Sequence, residues 1–154
     1  MPPLTIMVKP VSSSCNMRCR YCFYSDVASR RELASMGRMD EKTLDNLVRR
    51  ALRYADGHVS FAFQGGEPTL AGLDFFKRLV ELERMYNARG VSISNAVQTN
   101  GYALSDEMID FFVKEHFLIG VSFDGVPEIH DALRLDAAGH GTSGRVQDTL
   151  RRLE

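Results

Sequence analysis

The alternation of strand-like and helix-like segments restricts the fold of this chain more than any other feature of its sequence. Four short apolar runs predict strands, at 4–9, 59–64, 91–98 and 117–123. Segments with apolar residues at spacings of three and four predict helices at 39–55, at 73–87, from Ser105 onward and at the end of the chain. Strands that alternate with helices pair in parallel through right-handed crossovers. The pattern therefore predicts an α/β fold of about four βα units, arranged as a doubly wound sheet or as part of a (β/α) barrel.

The connections and the chain length add two expectations. Residues 10–38 and the segment around Pro127 lack helical periodicity and are rich in loop-forming residues, so we predict irregular loops there. The 154 residues are the size of one domain. Because no fifth strand follows the fourth unit, we expect residues 1–154 to be the truncated first part of a larger core domain.

Composition excludes several classes of partner. The chain has 19 basic and 20 acidic residues, and a general nucleic-acid binder would show a basic excess. The same balance argues against attachment to acidic lipid by charge. No apolar run approaches the ~20 residues of a membrane span, and the first ten residues do not resemble a secretion signal. We therefore expect a cytoplasmic chain with no membrane and no nucleic-acid partner.

Three cysteines, Cys15, Cys19 and Cys22, lie within one predicted loop after the first strand. An odd, close cluster is a poor disulfide framework and indicates metal ligation or thiol chemistry. Thiolates suit zinc or iron–sulfur clusters, and three of them would leave one iron of a four-iron cluster free for a small molecule. Two alternatives stay open: a zinc site with a distant fourth ligand such as His58 or His130, and inert buried thiols.

The spacing Cys15-x3-Cys19-x-Tyr21-Cys22 resembles the signature of the radical S-adenosylmethionine (SAM) enzymes. Further motifs resemble those of the anaerobic sulfatase-maturating enzymes, a branch with a cysteine-rich C-terminal extension; they lie at 22–24, 63–70, 98–101 and 122–125. The resemblance implies a 4Fe-4S cluster on the three cysteines and SAM as cofactors. It also implies that the chain is the N-terminal portion of a partial (β/α)6 TIM-like barrel.

The 65–68 segment, Gly-Gly-Glu-Pro, follows the second predicted strand. Two glycines let the backbone approach a ligand closely and adopt unusual dihedral angles. By resemblance, Gly66 receives the amino group of SAM, and Glu67 of the same loop is a predicted cofactor contact. The alternative for this motif is a plain Gly-Gly turn.

Four more residues are predicted cofactor contacts by resemblance: Tyr21 for the adenosyl group, Ser122 and Asp124 near the end of the fourth strand, and Arg134 for the methionine carboxylate. Residues two apart on a strand share a face, and a guanidinium group can hold a carboxylate through two hydrogen bonds. The alternatives are a packing role for Tyr21, an ordinary Asp-Gly turn at Asp124 and a solvated Arg134.

The resemblance implies oxidation of a cysteine or serine of a sulfatase to Cα-formylglycine through a 5′-deoxyadenosyl radical. A low-potential donor such as flavodoxin or ferredoxin would supply the electron. We expect the proton acceptor in the missing extension, so that this chain alone is incomplete. Two alternatives are a maturase of another peptide and a non-catalytic metal-binding fragment. The sequence does not separate cysteine-type from serine-type substrates, and it leaves the roles of Gln64 and Gln98 open.

Overall fold

A four-stranded sheet with six α-helices forms the chain in a computed structural model that describes residues 3–154. The strands are β1 (Leu4–Val8), β2 (His58–Phe63), β3 (Ser92–Thr99) and β4 (Leu118–Val121). The helices are α1 (Phe23–Ser29), α2 (Glu41–Tyr54), α3 (Leu73–Tyr86), α4 (Asp106–Lys114), α5 (Pro127–Leu133) and α6 (Ser143–Leu153). A short 3-10 turn, Pro68–Ala71, precedes α3. Within residues 3–154, none of these helices is both long enough and apolar enough to cross a membrane.

The strands follow one another in chain order, β1-β2-β3-β4, and all three pairings are parallel. A doubly wound sheet reverses its strand order at a switch point, whereas a (β/α) barrel winds in one direction. The order seen here is that of barrel strands, which decides between the two predicted arrangements. It also brings the loops after all four strands to one edge of the sheet.

The core lies on the helix-covered side of the sheet. In β2 the burial alternates, with Val59, Phe61 and Phe63 buried and the residues between them half-exposed toward the concave face. Phe76 of α3 meets Phe63 at 5.4 Å and Phe112 of α4 at 4.9 Å between ring centroids, both nearly perpendicular. Such edge-to-face pairs add about 1 kcal/mol each beyond the buried area. These ring contacts pack α3 against the sheet and α4 against α3.

The starts of two helices agree with the sequence pattern. The Asp40 carboxylate accepts a hydrogen bond from the Thr43 amide at 2.7 Å, so Asp40 is the predicted N-cap of α2. Ser105 caps α4 in the same way through the Met108 amide. Polar caps followed by an apolar stripe were sufficient to place these helices.

Two predicted loops are partly helical. The helix α1 lies inside the predicted 10–38 loop, and α5 begins at Pro127. Each is seven residues long and buries one residue, Ala28 in α1 and His130 in α5, so neither carries an apolar stripe that periodicity could detect. Proline at the first helical position is a start signal that a loop prediction overlooked. The predicted fourth strand also ends earlier, at Val121.

Candidate functional site

A cavity of about 230 Å³ opens at the carboxyl ends of the four strands, and we refer to it as the site cavity. Seven of the nine predicted site residues line it: Cys15, Cys19, Tyr21, Cys22, Gly66, Ser122 and Arg134. Gln64, Gln98 and Asn100 line it as well. The other two predicted residues, Glu67 and Asp124, are not part of its lining. Ligands of α/β proteins bind at this end of a parallel sheet, so the position agrees with a binding site.

The first half of the cysteine loop is held by backbone contacts with the 65–68 segment. The Gly66 amide donates to the Ser12 carbonyl at 3.1 Å, and the Glu67 amide donates to the Ser14 carbonyl at 2.8 Å. A Cβ atom at position 66 would overlap the carbonyl group of Ser14. Gly66 is therefore required by the close approach of two backbones.

The second half of the cysteine loop is held by the chain that follows α5. The Arg18 amide donates to the Leu135 carbonyl at 2.7 Å, and the Arg20 amide donates to the Leu133 carbonyl at 2.8 Å. Because the loop is tied on both sides, its three thiols keep a defined place beside the cavity.

The three thiols are free and half-buried. Burial raises the pKa of Cys15, against the hydrogen bonds from the Met17 amide and the Asn100 side chain that lower it. Burial also raises the pKa of Cys19, against the positive charge of Arg134. A metal that binds here must therefore displace thiol protons, and its affinity will increase with pH.

A mononuclear zinc site does not fit this arrangement. Within residues 3–154, no three His, Cys, Asp or Glu side chains converge closely enough to hold one metal ion. Neither His58 nor His130 lines the site cavity: the His58 ring contacts the Ser94 hydroxyl, and the His130 ring is buried against Thr142. A four-iron cluster distributes its thiolate ligands over separate iron atoms, so its ligands need not converge on one point. The donor set therefore fits a cluster better than zinc.

Arg134 is buried, with 7% of its surface exposed, so the alternative of a solvated arginine is wrong. Its Nη1 donates to the Tyr21 hydroxyl at 2.6 Å and lies 3.8 Å from Asp124 Oδ1. Its Nε is buried without a hydrogen-bond partner among residues 3–154. The protein therefore leaves the guanidinium incompletely satisfied, which suits a group that binds an anionic ligand.

Tyr21 lies between the basic and the acidic group. Its hydroxyl donates to Asp124 Oδ2 at 2.7 Å while accepting from Arg134. Burial of the hydroxyl and the hydrogen bond to Asp124 raise its pKa, so the phenol stays neutral. The residue is 52% exposed, which excludes the alternative of a core-packing role. The structure thus engages the Asp124 carboxylate with Tyr21.

Glu67 lies behind the cavity and is 1% exposed. Its carboxylate accepts hydrogen bonds from the Thr69 amide and hydroxyl at 3.0 and 2.6 Å. It also accepts from the Thr99 hydroxyl at 2.8 Å and from the Asn100 amide at 2.7 Å. These four bonds join the loop after β2 to the loop after β3, so Glu67 positions the cavity wall.

Ser122 receives a hydrogen bond from Gln98 Nε2 at 3.0 Å across the end of β4. The Gln98 carboxamide occupies the space above Gly120, where a Cβ would overlap its oxygen. Since the Ser122 oxygen accepts from Gln98, its own proton is available for a ligand in the cavity. Gln98 therefore orients Ser122, a role that the sequence left open.

A family model described as the Radical SAM superfamily matches residues 10–154. The chain belongs to the radical SAM superfamily. The match includes every predicted site residue.

Several curated relatives of this radical SAM chain are sulfatase-maturating enzymes. The cysteine-type anaerobic sulfatase-maturating enzyme of Clostridium perfringens (strain 13 / Type A) is 47% identical over 147 residues, which are 96% of this chain and 40% of the relative. The serine-type enzyme of Klebsiella aerogenes is 36% identical over 143 residues, which are 91% of this chain and 34% of the relative.

A solved structure of native anSMEcpe with bound AdoMet and Cp18Cys peptide resembles this radical SAM chain with a TM-score of 0.91 and 43% identity. The match covers 99% of this chain and 40% of that one. The likeness confirms that the fold is the N-terminal portion of the TIM-like radical SAM barrel. Here too the chain spans about 40% of the length of the protein it matches.

The sequence analysis missed Asn100 as a residue of the radical SAM site. Its side-chain amide lies 3.6 Å from the Cys15 sulfur. Asn100 directly follows β3, and the loops after parallel neighbouring strands meet at one edge of the sheet. This position was the available signal, but it does not say which way the side chain points.

Proposed function

We propose that this chain holds a 4Fe-4S cluster on Cys15, Cys19 and Cys22 and binds SAM in the adjoining site cavity. We further propose that it does so within an enzyme that oxidises a cysteine or serine of a sulfatase to Cα-formylglycine. The observation that carries the proposal is the lining of one cavity by three free thiols and the buried, incompletely satisfied Arg134. The similarity to sulfatase-maturating enzymes over most of this chain supports the choice of reaction.

The three thiolates would hold three irons of the cluster and leave the fourth available to SAM. In support, the chain contains three cysteines in all, and His58 and His130 are engaged elsewhere. When bound, the cluster and SAM together supply a radical that removes a hydrogen atom from the substrate. The tasks left to this chain are to bind, to orient and to exclude water.

Each cofactor contact follows from the chemistry of the residue. The Arg134 guanidinium binds the methionine carboxylate, and the Ser122 hydroxyl donates to SAM because its oxygen is occupied by Gln98. The backbone carbonyl of Gly66 accepts from the SAM amino group, and Tyr21 contacts the adenosyl group. Asp124 and Glu67 support these contacts at the edge of the cofactor: Asp124 holds Tyr21, and Glu67 holds the loops.

The electron comes from a low-potential donor such as flavodoxin or ferredoxin, and the reaction takes place in the cytoplasm, where thiols stay reduced. Residues 1–154 are the first part of a longer radical SAM core. The remaining barrel units and a cysteine-rich extension supply the proton acceptor and the rest of the peptide site. In support, this chain spans 40% of the length of the cysteine-type relative.

The proposal is tested by anaerobic iron–sulfur reconstitution followed by reduction with SAM, with and without a sulfatase-motif peptide. We expect about four irons per chain and formation of 5′-deoxyadenosine. Cluster and product should both be lost in Cys15→Ala, Cys19→Ala and Cys22→Ala. Ser29→Ala removes a side-chain heteroatom of similar size from exposed helix α1 and should change neither.

Other outcomes separate the alternatives. Zinc on the three cysteines, or iron without deoxyadenosine, would overturn the radical reaction and leave a metal-binding fragment. Product formation that responds to a non-sulfatase peptide and not to the sulfatase motif would indicate a maturase of another peptide. Aldehyde on the sulfatase peptide with residues 1–154 alone would overturn the requirement for the missing extension.

A further inference from the structure

Asn100 is the one loop side chain of the site cavity that contacts a cysteine sulfur within residues 3–154, and the proposed cofactor contacts leave it without a role. Its Nδ2 lies 3.6 Å from Cys15 Sγ, within hydrogen-bond range for sulfur. The residue is 8% exposed, so this donor is largely shielded from solvent. The side-chain amide of Asn100 is therefore placed to donate a hydrogen bond to the Cys15 sulfur.

Three further contacts fix the orientation of this amide. Asn100 Oδ1 accepts from the Tyr102 backbone amide at 2.9 Å, and a backbone N–H is always a donor. The oxygen is thereby assigned, and the nitrogen must be the atom beside Cys15. The same Nδ2 donates to Asn16 Oδ1 at 2.8 Å, and the Asn100 backbone amide donates to Glu67 at 2.7 Å. The Asn100 residue is thus held by hydrogen bonds of both its side chain and its backbone amide.

The sulfurs of the three cysteines are not equivalent. Cys15 accepts two hydrogen bonds, from the Met17 amide at 3.4 Å and from Asn100. For the described chain, 3–154, the side-chain contacts include no such donor on Cys19 or Cys22. Hydrogen bonds to ligand sulfurs stabilise the more negative, reduced form of an iron–sulfur cluster and raise its reduction potential.

We propose that Asn100 is a positioning residue that sets the reduction potential of the cluster by donating a hydrogen bond to the Cys15 sulfur. This inference rests on the function proposed above. Asn100 does not touch the substrate and takes no part in breaking bonds. Its hydrogen bond to Cys15 raises the reduction potential of the cluster, so that the electron donor reduces the cluster more readily.

The test is an EPR-monitored redox titration of the protein after anaerobic cluster reconstitution. Asn100→Ala removes the donor. One hydrogen bond to a charged group corresponds to roughly a tenfold change in equilibrium, which is ~59 mV for a one-electron couple, and the midpoint should shift in the negative direction. Asn100→Asp keeps the acceptor for Tyr102 but removes the donor and adds a charge, so its midpoint should be lower still.

Asn46→Asp is the matched control, because it makes the same chemical change at a half-buried position of α2 outside the lining of the site cavity, where the side chain donates to the Lys42 carbonyl. Its midpoint should equal that of the unmodified protein. EPR detects cluster-loaded molecules only, so partial loading of a variant leaves the midpoint measurable.

Unchanged midpoints in both Asn100 variants would overturn the assignment. So would complete loss of iron uptake in both, because Asn100 would then be a structural requirement of the loop. Failure of the unmodified protein to take up a four-iron cluster has a different meaning: it would overturn the proposed function itself.

Discussion

The Tyr21 hydroxyl donates to the Asp124 carboxylate at 2.7 Å, although 103 residues separate the two in the chain. This hydrogen bond connects the cysteine loop to the loop after β4. Arg134 donates a second hydrogen bond to the same Tyr21 hydroxyl. We predict that Asp124→Asn weakens SAM binding about tenfold, because Arg134 and Tyr21 lose the charge that orients them. Isothermal titration of the reconstituted protein with SAM measures this. Asp148→Asn, an exposed carboxylate on α6, is the control, and equal affinity in the two variants would contradict the prediction.

Glu67 should matter chiefly for stability. We predict that Glu67→Gln lowers the free energy of unfolding by about 3 kcal/mol, since hydrogen bonds to a buried charge are strong and an amide nitrogen would face the Asn100 backbone amide. Urea unfolding monitored by circular dichroism provides the measurement. Glu81→Gln, at an exposed position of α3, is the control. A Glu67→Gln variant as stable as that control would show that the four bonds contribute little.

Glu83 gives the fold a pH dependence unrelated to the site. Burial raises its pKa from 4.5 to about 7, with Asn95 and Arg84 opposing the shift and Glu115 adding to it. Among residues 3–154, Glu83 Oε1 and Asn95 Oδ1 are both buried without a hydrogen-bond partner, which favours a proton on the Glu83 carboxyl. Between pH 4.5 and about 7 the folded state holds this proton while the unfolded state loses it. The contribution of Glu83 to stability therefore falls by about 3 kcal/mol as pH rises through that window.

Glu83→Gln isolates this effect. The glutamine is neutral at every pH and can donate to Asn95 Oδ1, so the variant should match the unmodified protein at pH 4.5 and exceed it in stability at pH 8. Urea unfolding of both proteins at the two pH values measures the difference. An equal pH dependence in the two proteins would mean that Glu83 titrates normally.

The protonation state of His130 follows from its partners. The Thr142 hydroxyl donates its single proton to the Arg134 carbonyl at 2.8 Å, so the His130 Nε2 at 3.0 Å from Thr142 Oγ1 must be the donor there. The Nδ1 accepts from the Asp124 backbone amide at 3.4 Å. We predict the neutral Nε2–H tautomer, which nitrogen-15 NMR identifies directly. A protonated Nδ1 at neutral pH would contradict this hydrogen-bond chain.

The pKa of His130 is lowered by burial and by Arg134. The folded state therefore stays neutral below pH 6.5 while the unfolded state takes up a proton. Stability from this residue is full above that pH and is lost as pH falls toward the lower, folded-state pKa. The NMR titration of His130 should accordingly lie on the acid side of 6.5.

The sequence was a good guide wherever periodicity or spacing carried the information. The apolar stripes of α2, α3 and α4, the buried strands and the cysteine spacing all predicted what the structure contains. The short helices α1 and α5 were not predicted, because each buries one residue and so has no apolar periodicity. The direction of individual side chains was not predicted either: Asp124 contacts Tyr21, and Asn100 contacts Cys15. Those orientations depend on contacts between loops far apart in the chain, which no local pattern records.

Gly66 contributes no side chain, yet the loops meet at its backbone, with Ser14 directly opposite. Its neighbour Gly65, at φ 123°, is restricted by conformation in addition to space. In a saturation-mutagenesis library, position 66 should therefore tolerate fewer residue types than Tyr21 or Ser122. Smaller side chains still fit at those two predicted cofactor contacts. In such a library, the position with the lowest tolerance at this site would thus be one that contributes no side chain.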